Sequence, residues 1–282
     1  MKTIRIFSLS VALLLPLFVA AQTGPVTHGQ RVFACGHSFH FAIPPILDET
    51  AKAAGFADHQ IVGISSIGGS KVIQHWNAKA QALLATGKVD VVTTTPIYLP
   101  DDGMEKFAQA ALAANPNARV TVQEFWLPFD QYEPRFYNAP RIPQPKQVDH
   151  NAATVTGLRQ MHQRYFDEMD AHIAAVNAKL GKQVLFVVPV GQAVIALREK
   201  IIAGAVPGLK NQADLFTDPL GHPKPVLQAL IADCHFAVIY RRTPVGLPRL
   251  KNQKWDDELN RLLQELAWDA VTHHPLSGVR AK

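Results

Sequence analysis

From residue 31 onward, short apolar or β-branched runs alternate with stretches in which apolar side chains recur every three or four residues. The first pattern marks strands and the second marks helices with one buried face. Strands are predicted over Arg31–Ala34, Gln60–Ile64, Val89–Thr95, Arg119–Phe125 and Val184–Val188. Helices are predicted over Pro44–Ala54, Lys71–Thr86, Gly103–Ala114, Thr154–Leu180, Gln192–Ile202, Val226–Tyr240 and Asp256–Thr272. Gly55, Gly87 and Gly181 follow three of these helices as stop signals. Strands that alternate with helices build βαβ units, so the expected fold is a three-layer α/β/α domain. Its five-stranded sheet should be mostly parallel and covered on both faces. In such sheets chemistry gathers beyond the carboxyl ends of the strands, here just after Ala34, Ile64, Thr95, Phe125 and Val188.

Two segments break the alternation. Residues 1–21 combine Lys2 and Arg5 with the apolar run Ile6–Ala20 and the small residues Val19-Ala20-Ala21. This is the pattern of a signal peptide cleaved before Gln22, and it implies a secreted or periplasmic protein. Pro16 and the short apolar span argue against a lasting membrane anchor. The second segment is a proline-rich insertion over 128–150, with prolines at 128, 134, 140, 143 and 145 among aromatic residues. Such a density excludes a helix and predicts an ordered loop. The remainder, 22–282, is expected to form a single domain.

Composition narrows the classes further. Hydrophobic residues make up 48% of the 282 positions and charged residues 18%, which excludes a disordered chain. The net charge is +5, without a Lys/Arg block beyond Arg241-Arg242, so no nucleic-acid partner is expected. The two cysteines, Cys35 and Cys234, are either a bonded pair or two buried thiols, and their apolar surroundings favour thiols.

The first strand runs into Cys35-Gly36-His37-Ser38-Phe39-His40. Gly36 permits a tight turn that would leave the Ser38 hydroxyl at the sheet edge, although a serine ahead of a helix also serves as a plain cap. Gly36-His37-Ser38-Phe39 resembles the first block of the SGNH/GDSL hydrolases. Gly68-Gly69, after the second strand, resembles the second block, and Asp218-Pro219-Leu220-Gly221-His222-Pro223 resembles the last. The resemblance implies a flavodoxin-like fold and an ester hydrolase working through an acyl-enzyme on Ser38. It further implies His222 as base, Asp218 as its orienting acid, and Ser38 and Gly69 as oxyanion donors.

Two departures stand out. The Asn that the family places after the third strand is missing from Val91-Val92-Thr93-Thr94-Thr95-Pro96, which leaves Thr95 as a poorer oxyanion donor. Three residues separate Asp218 from His222 where the family has two, so Pro219 stands at the usual Asp position.

Other polar residues near the strand ends are candidates for substrate contact. His37 and His40 share the first turn; Glu124, Trp126 and Asp130 follow the fourth strand. Trp126 is equally suited to the core. No Asp, Glu or Cys stands at metal-ligand spacing beside His37 and His40, so no metal is expected there. His273-His274 should be solvated. Neither a GxGxxG nor a phosphate-binding loop follows the first strand, and no cofactor is expected. The expected partner is a small-molecule or carbohydrate ester, an O-acylated sugar in particular. The competing reading is a binding protein that keeps the scaffold with little or no catalysis, motivated by the missing Asn.

Overall fold

The computed structural model describes residues 24–131 and 148–280. The expected signal peptide and most of the proline-rich insertion lie outside these residues. Five strands form one all-parallel sheet: β1 (Arg31–Gly36), β2 (Gln60–Ser66), β3 (Val91–Thr95), β4 (Arg119–Gln123) and β5 (Leu185–Val188), in the order β2-β1-β3-β4-β5. This is the flavodoxin-like arrangement. The helices are α1 (Ile43–Ala53), α2 (Ala78–Ala85), α3 (Asp102–Ala114), α4 (Val155–Leu180), α5 (Val190–Ile202), α6 (Pro225–Tyr240) and α7 (Asp257–His273).

Alternation along the strands divides the core between the two faces. Val32 of β1 and Val91 of β3 pack with Leu47 of α1 and with Phe236 and Tyr240 of α6. Their neighbours Phe33 and Val92 join the larger cluster that contains Phe107 of α3 and Met169 and Ile173 of α4. Right-handed crossovers account for the division: the chain turns back between β1 and β2 and then advances, which puts α1 opposite α2, α3 and α4. Helix α6 is buried on almost every side, as its uniformly apolar sequence requires. The outer edge of β5 is closed by the chain end, since Val187 N–H donates to Leu276 C=O at 3.0 Å.

Capping sets the limits of the helices. Thr154 accepts from Gly157 N–H at the start of α4, and Gly181 ends it in the left-handed region at φ 68°. Asp256 accepts from Leu259 N–H and starts α7. One expectation fails in part: Lys71–Thr86 is not continuous. A 3-10 turn over Val72–His75 precedes α2, whose cap is Asn77. Asp101 holds that turn by accepting from Val72 N–H and Ile73 N–H at 2.6 and 3.1 Å, a contact from 28 residues away that periodicity does not register.

Candidate active site

The sheet order reverses at β1, and Ser38 opens a single 3-10 turn just beyond that strand's carboxyl end. Gly36 is forced by space: a Cβ there would lie 2.7 Å from Thr95 Cγ2 and 3.1 Å from His40 Cβ. The chain can therefore bend tightly against β3 and present the serine outward.

His222 and Asp218 approach from the loop ahead of α6. Phe216 and Pro223 form an antiparallel bridge, and Thr217 N–H donates to His222 C=O at 2.8 Å, so the loop closes on itself. Gly221, at φ 98°, makes the sharp turn between Asp218 and His222. Asp218 Oδ1 accepts from Gly221 N–H and His222 N–H at 3.0 and 3.2 Å. Its Oδ2 lies 2.5 Å from His222 Nδ1, and His222 Nε2 lies 2.7 Å from Ser38 Oγ. Burial works against the Asp218 charge, but the ring and the two amides outweigh it and hold the carboxyl below its ordinary range. A carboxylate at Nδ1 selects the tautomer whose Nε2 accepts the serine proton. Ser38, His222 and Asp218 thus form one continuous hydrogen-bonded line.

The remaining candidates are placed differently. Trp126 is buried: it stacks on Phe39 with ring centres 4.6 Å apart, and its Nε1–H donates to Gly221 C=O at 2.9 Å. It supports the His222 loop from beneath and offers no exposed face. Glu124 is fully buried away from Ser38, beside Gln192 and His274. Asp130 is bound by Arg198 and His150, whose hydrogen bonds overcome its burial and lower it to about 2. The chain after β4 turns inward, so that α5 claims Glu124 through Gln192 and Asp130 through Arg198, while Trp126 packs between Phe39 and the His222 loop. His274 is likewise buried, whereas its neighbour His273 is exposed.

His37 and His40 also face inward. His37 Nδ1 accepts from Phe39 N–H at 3.4 Å, which leaves Nε2–H to donate to Thr95 Oγ1 at 3.2 Å; that hydroxyl in turn donates to Gln123 C=O at 3.3 Å. His40 Nε2, Thr93 Oγ1, His235 Nδ1 and, across the ring, Gln123 Oε1 continue a buried polar floor. Thr95 is therefore unsuited as an oxyanion donor because its hydroxyl is committed within the floor. Through His37 it braces the residue next to Ser38. Thr95→Val should cost ~1–3 kcal/mol by leaving the buried His37 N–H unpaired. It should lower kcat by well under the ~10²–10³ of a lost oxyanion donor. Denaturant melts together with turnover measurements check both expectations.

Sequence reading also passed over His75. Its Nδ1 lies 2.8 Å from Ser65 Oγ and its Nε2 2.8 Å from Ser70 Oγ, so it pins both ends of the loop carrying Gly68-Gly69. Ile67 N–H, from the same loop, donates to Gly36 C=O at 3.3 Å and ties it to the turn that carries Ser38. The signal was faint, a lone histidine in a stretch that otherwise reads as helix. Cys35 and Cys234 are free and buried.

Fold and site together define a three-layer α/β protein with a Ser-His-Asp line at the switch point of its sheet. No protein-family model matches the chain, and no curated protein sequence does. Among solved structures, a DUF4886 family protein from Bacteroides uniformis shares the fold with a TM-score of 0.52 and 15% identity. That match covers 88% of this chain and 96% of the other. A carbohydrate esterase family 3 from Talaromyces cellulolyticus is similar at a TM-score of 0.40 and 13% identity, over 75% of this chain and 97% of the other. No helix among the described residues is long and apolar enough to cross a membrane.

Proposed function

We propose that the protein is a serine ester hydrolase of the SGNH type, exported by residues 1–21. The observation that carries this reading is the pair of contacts at 2.7 and 2.5 Å joining Ser38 to His222 and His222 to Asp218. In the acylation step Ser38 Oγ attacks the ester carbonyl while its proton passes to His222 Nε2. The imidazolium, facing the Asp218 carboxylate, then protonates the departing alkoxide, and the acyl group remains on Ser38. Water repeats the sequence: His222 removes a proton as the water oxygen bonds to the acyl carbon, then returns it to Ser38 Oγ as that oxygen's bond to the acyl carbon breaks, and the acid leaves. Backbone N–H groups of Ser38 and Gly69 are the proposed donors to the oxyanion, since the Thr95 hydroxyl is engaged elsewhere.

Two exposed apolar side chains are the proposed neighbours of the acyl group. Phe41 follows the nucleophile turn and Ile67 lies on the loop bonded to Gly36, and both side chains are exposed. The sugar contacts expected of Glu124 and Trp126 fall away with their burial, so a small-molecule or carbohydrate ester is proposed without a sugar platform built from those residues. A continuous Ser-His-Asp line favours hydrolysis over a binding protein, which has no use for a base aligned on a serine. An alkyl phosphonate ester should inactivate the protein stoichiometrically and label Ser38. Labelling of Ser65 or Ser70, or no labelling with no turnover of p-nitrophenyl acetate, would overturn the proposal.

A further inference from the structure

Away from Ser38, four elements converge on a second polar cluster. Glu124 follows β4, Asp170 lies midway along α4, Gln192 sits in the first turn of α5, and His274 ends α7. Asp170, Gln192 and His274 line an open cavity of about 340 Å³, and Glu124 touches the last two of them. One ligand atom each from Glu124, Asp170 and His274 can be chosen so that all lie within 4.8 Å of one another.

The cluster is short of positive charge and of hydrogen-bond donors. Glu124 is 0% exposed; Oε1 accepts from Gln192 Nε2–H at 3.0 Å, while Oε2 has no partner. Asp170 Oδ1 is also buried without a hydrogen bond. His274 Nε2 stands 3.3 Å from Glu124 Oε1 and 3.4 Å from Asp170 Oδ1, two long contacts for the single N–H that faces both carboxylates. Its Nδ1 accepts from Leu276 N–H at 3.1 Å. Even an imidazolium would bring one charge against two carboxylates, and a proton on Oε2 would find no acceptor. At the rim Asp167 and Asp269 add negative charge, and Arg159 is engaged by Glu199 through contacts of 2.5 and 2.6 Å. A buried carboxylate oxygen left unpaired is costly, and a cation is the species that removes the cost.

We propose that Glu124 and Asp170 bind a hard divalent cation of the calcium, magnesium and manganese class at the floor of this cavity, with Gln192 and His274 orienting the two carboxylates. Oxygen ligands follow from the tautomer: the Leu276 amide keeps Nδ1 as an acceptor, so Nε2 retains its hydrogen and acts as a donor to the carboxylates. The cavity leaves room for the waters such ions keep. Residues 124, 170 and 274 lie too far apart in sequence for any ligand spacing to reveal them. The ion would fix the chain at Glu124, two residues before the Trp126 that supports the His222 loop.

Chelator-treated full-length protein, titrated separately with CaCl₂, MgCl₂, MnCl₂ and ZnCl₂, tests the assignment through Tm and through metal retained after dialysis. A saturable rise in Tm and a single retained ion per chain are expected with at least one of the first three salts. Glu124→Gln and Asp170→Asn should each abolish both signals. Metal-free Glu124→Gln should melt no lower than the metal-free parent, because it removes a buried charge at constant volume. Asp170→Asn, at a partly exposed position, carries the test if Glu124→Gln does not fold. Retention of no ion, retention undiminished in the variants, or binding of zinc alone would each overturn the proposal.

Discussion

Asp218→Asn should lower kcat by ~10⁴, as loss of the orienting carboxylate does in the serine triad, with little change in Tm. The cause is the direction of one hydrogen bond. Asn still accepts from Gly221 N–H and His222 N–H, so the loop keeps its shape. Its amide group, however, replaces the carboxylate oxygen facing His222 Nδ1. An N–H donor there forces Nδ1 to accept, moves the ring hydrogen to Nε2, and leaves Ser38 Oγ without a base. Stability should barely respond because the Asp218 side chain is 38% exposed and its histidine partner 29%. Ser38→Ala should be at least as severe. Steady-state turnover of p-nitrophenyl acetate and thermal melts on both variants measure the effect. A loss under ~10-fold for Asp218→Asn would reduce the site to a Ser-His dyad.

The lengths and limits of most elements were legible because local chemistry and tertiary packing agree. Thr154, Gly181 and Asp256 stand where helix ends require them, and β-branched Val91–Thr95 is buried throughout. Lys71–Thr86 failed where a distant carboxylate, Asp101, captured two amides of the segment. Asn77 was the visible hint, an N-cap residue in the middle of the apparent helix. At the candidate site, Ser38, Asp218 and His222 were singled out by the resemblance of their short motifs to family blocks, and their side chains lie in one hydrogen-bonded line. Position past a strand end says little about which way a side chain points, and this misplaced His37, His40, Glu124, Trp126 and Thr95. Each of them faces inward because a buried partner from another element claims its polar atoms.

The histidines of that inward-facing floor, together with buried His59, His75 and His162, should make the fold sensitive to acid. Burial lowers His37 and His40 to about 3, lowers His59, His75 and His162 to about 4, and holds His235 well below its ordinary value. All six are folded in the neutral form, and all regain their ordinary affinity for a proton, near 6.5, when the chain unfolds. Their contribution to stability is therefore complete above pH 6.5 and declines as pH falls toward 4 and then 3. Each can remove about 1.4 kcal/mol per pH unit in that window. Asp101, Glu124 and Asp233 act in the opposite sense, since burial raises them and the folded chain takes up their protons first. The six histidines outnumber the three acids, and Asp90, Asp130 and Asp218, whose carboxyls are held down in the folded chain, act with the histidines. Unfolding thus takes up protons, and stability falls with acidification. A total stability of ~5–15 kcal/mol is consumed within a few units of acidification. Metal-free protein should therefore lose its far-ultraviolet circular dichroism cooperatively between about pH 5 and 4 at 25 °C. His162→Gln provides the control. His162 Nε2 accepts from Leu127 N–H and its ring is fully buried, so a glutamine oxygen can take over that bond without a titrating group. The variant should unfold at a lower pH, with a shallower dependence of stability on pH. A chain still folded at pH 3.5, or a midpoint unmoved in His162→Gln, would show that the buried acids outweigh the histidines.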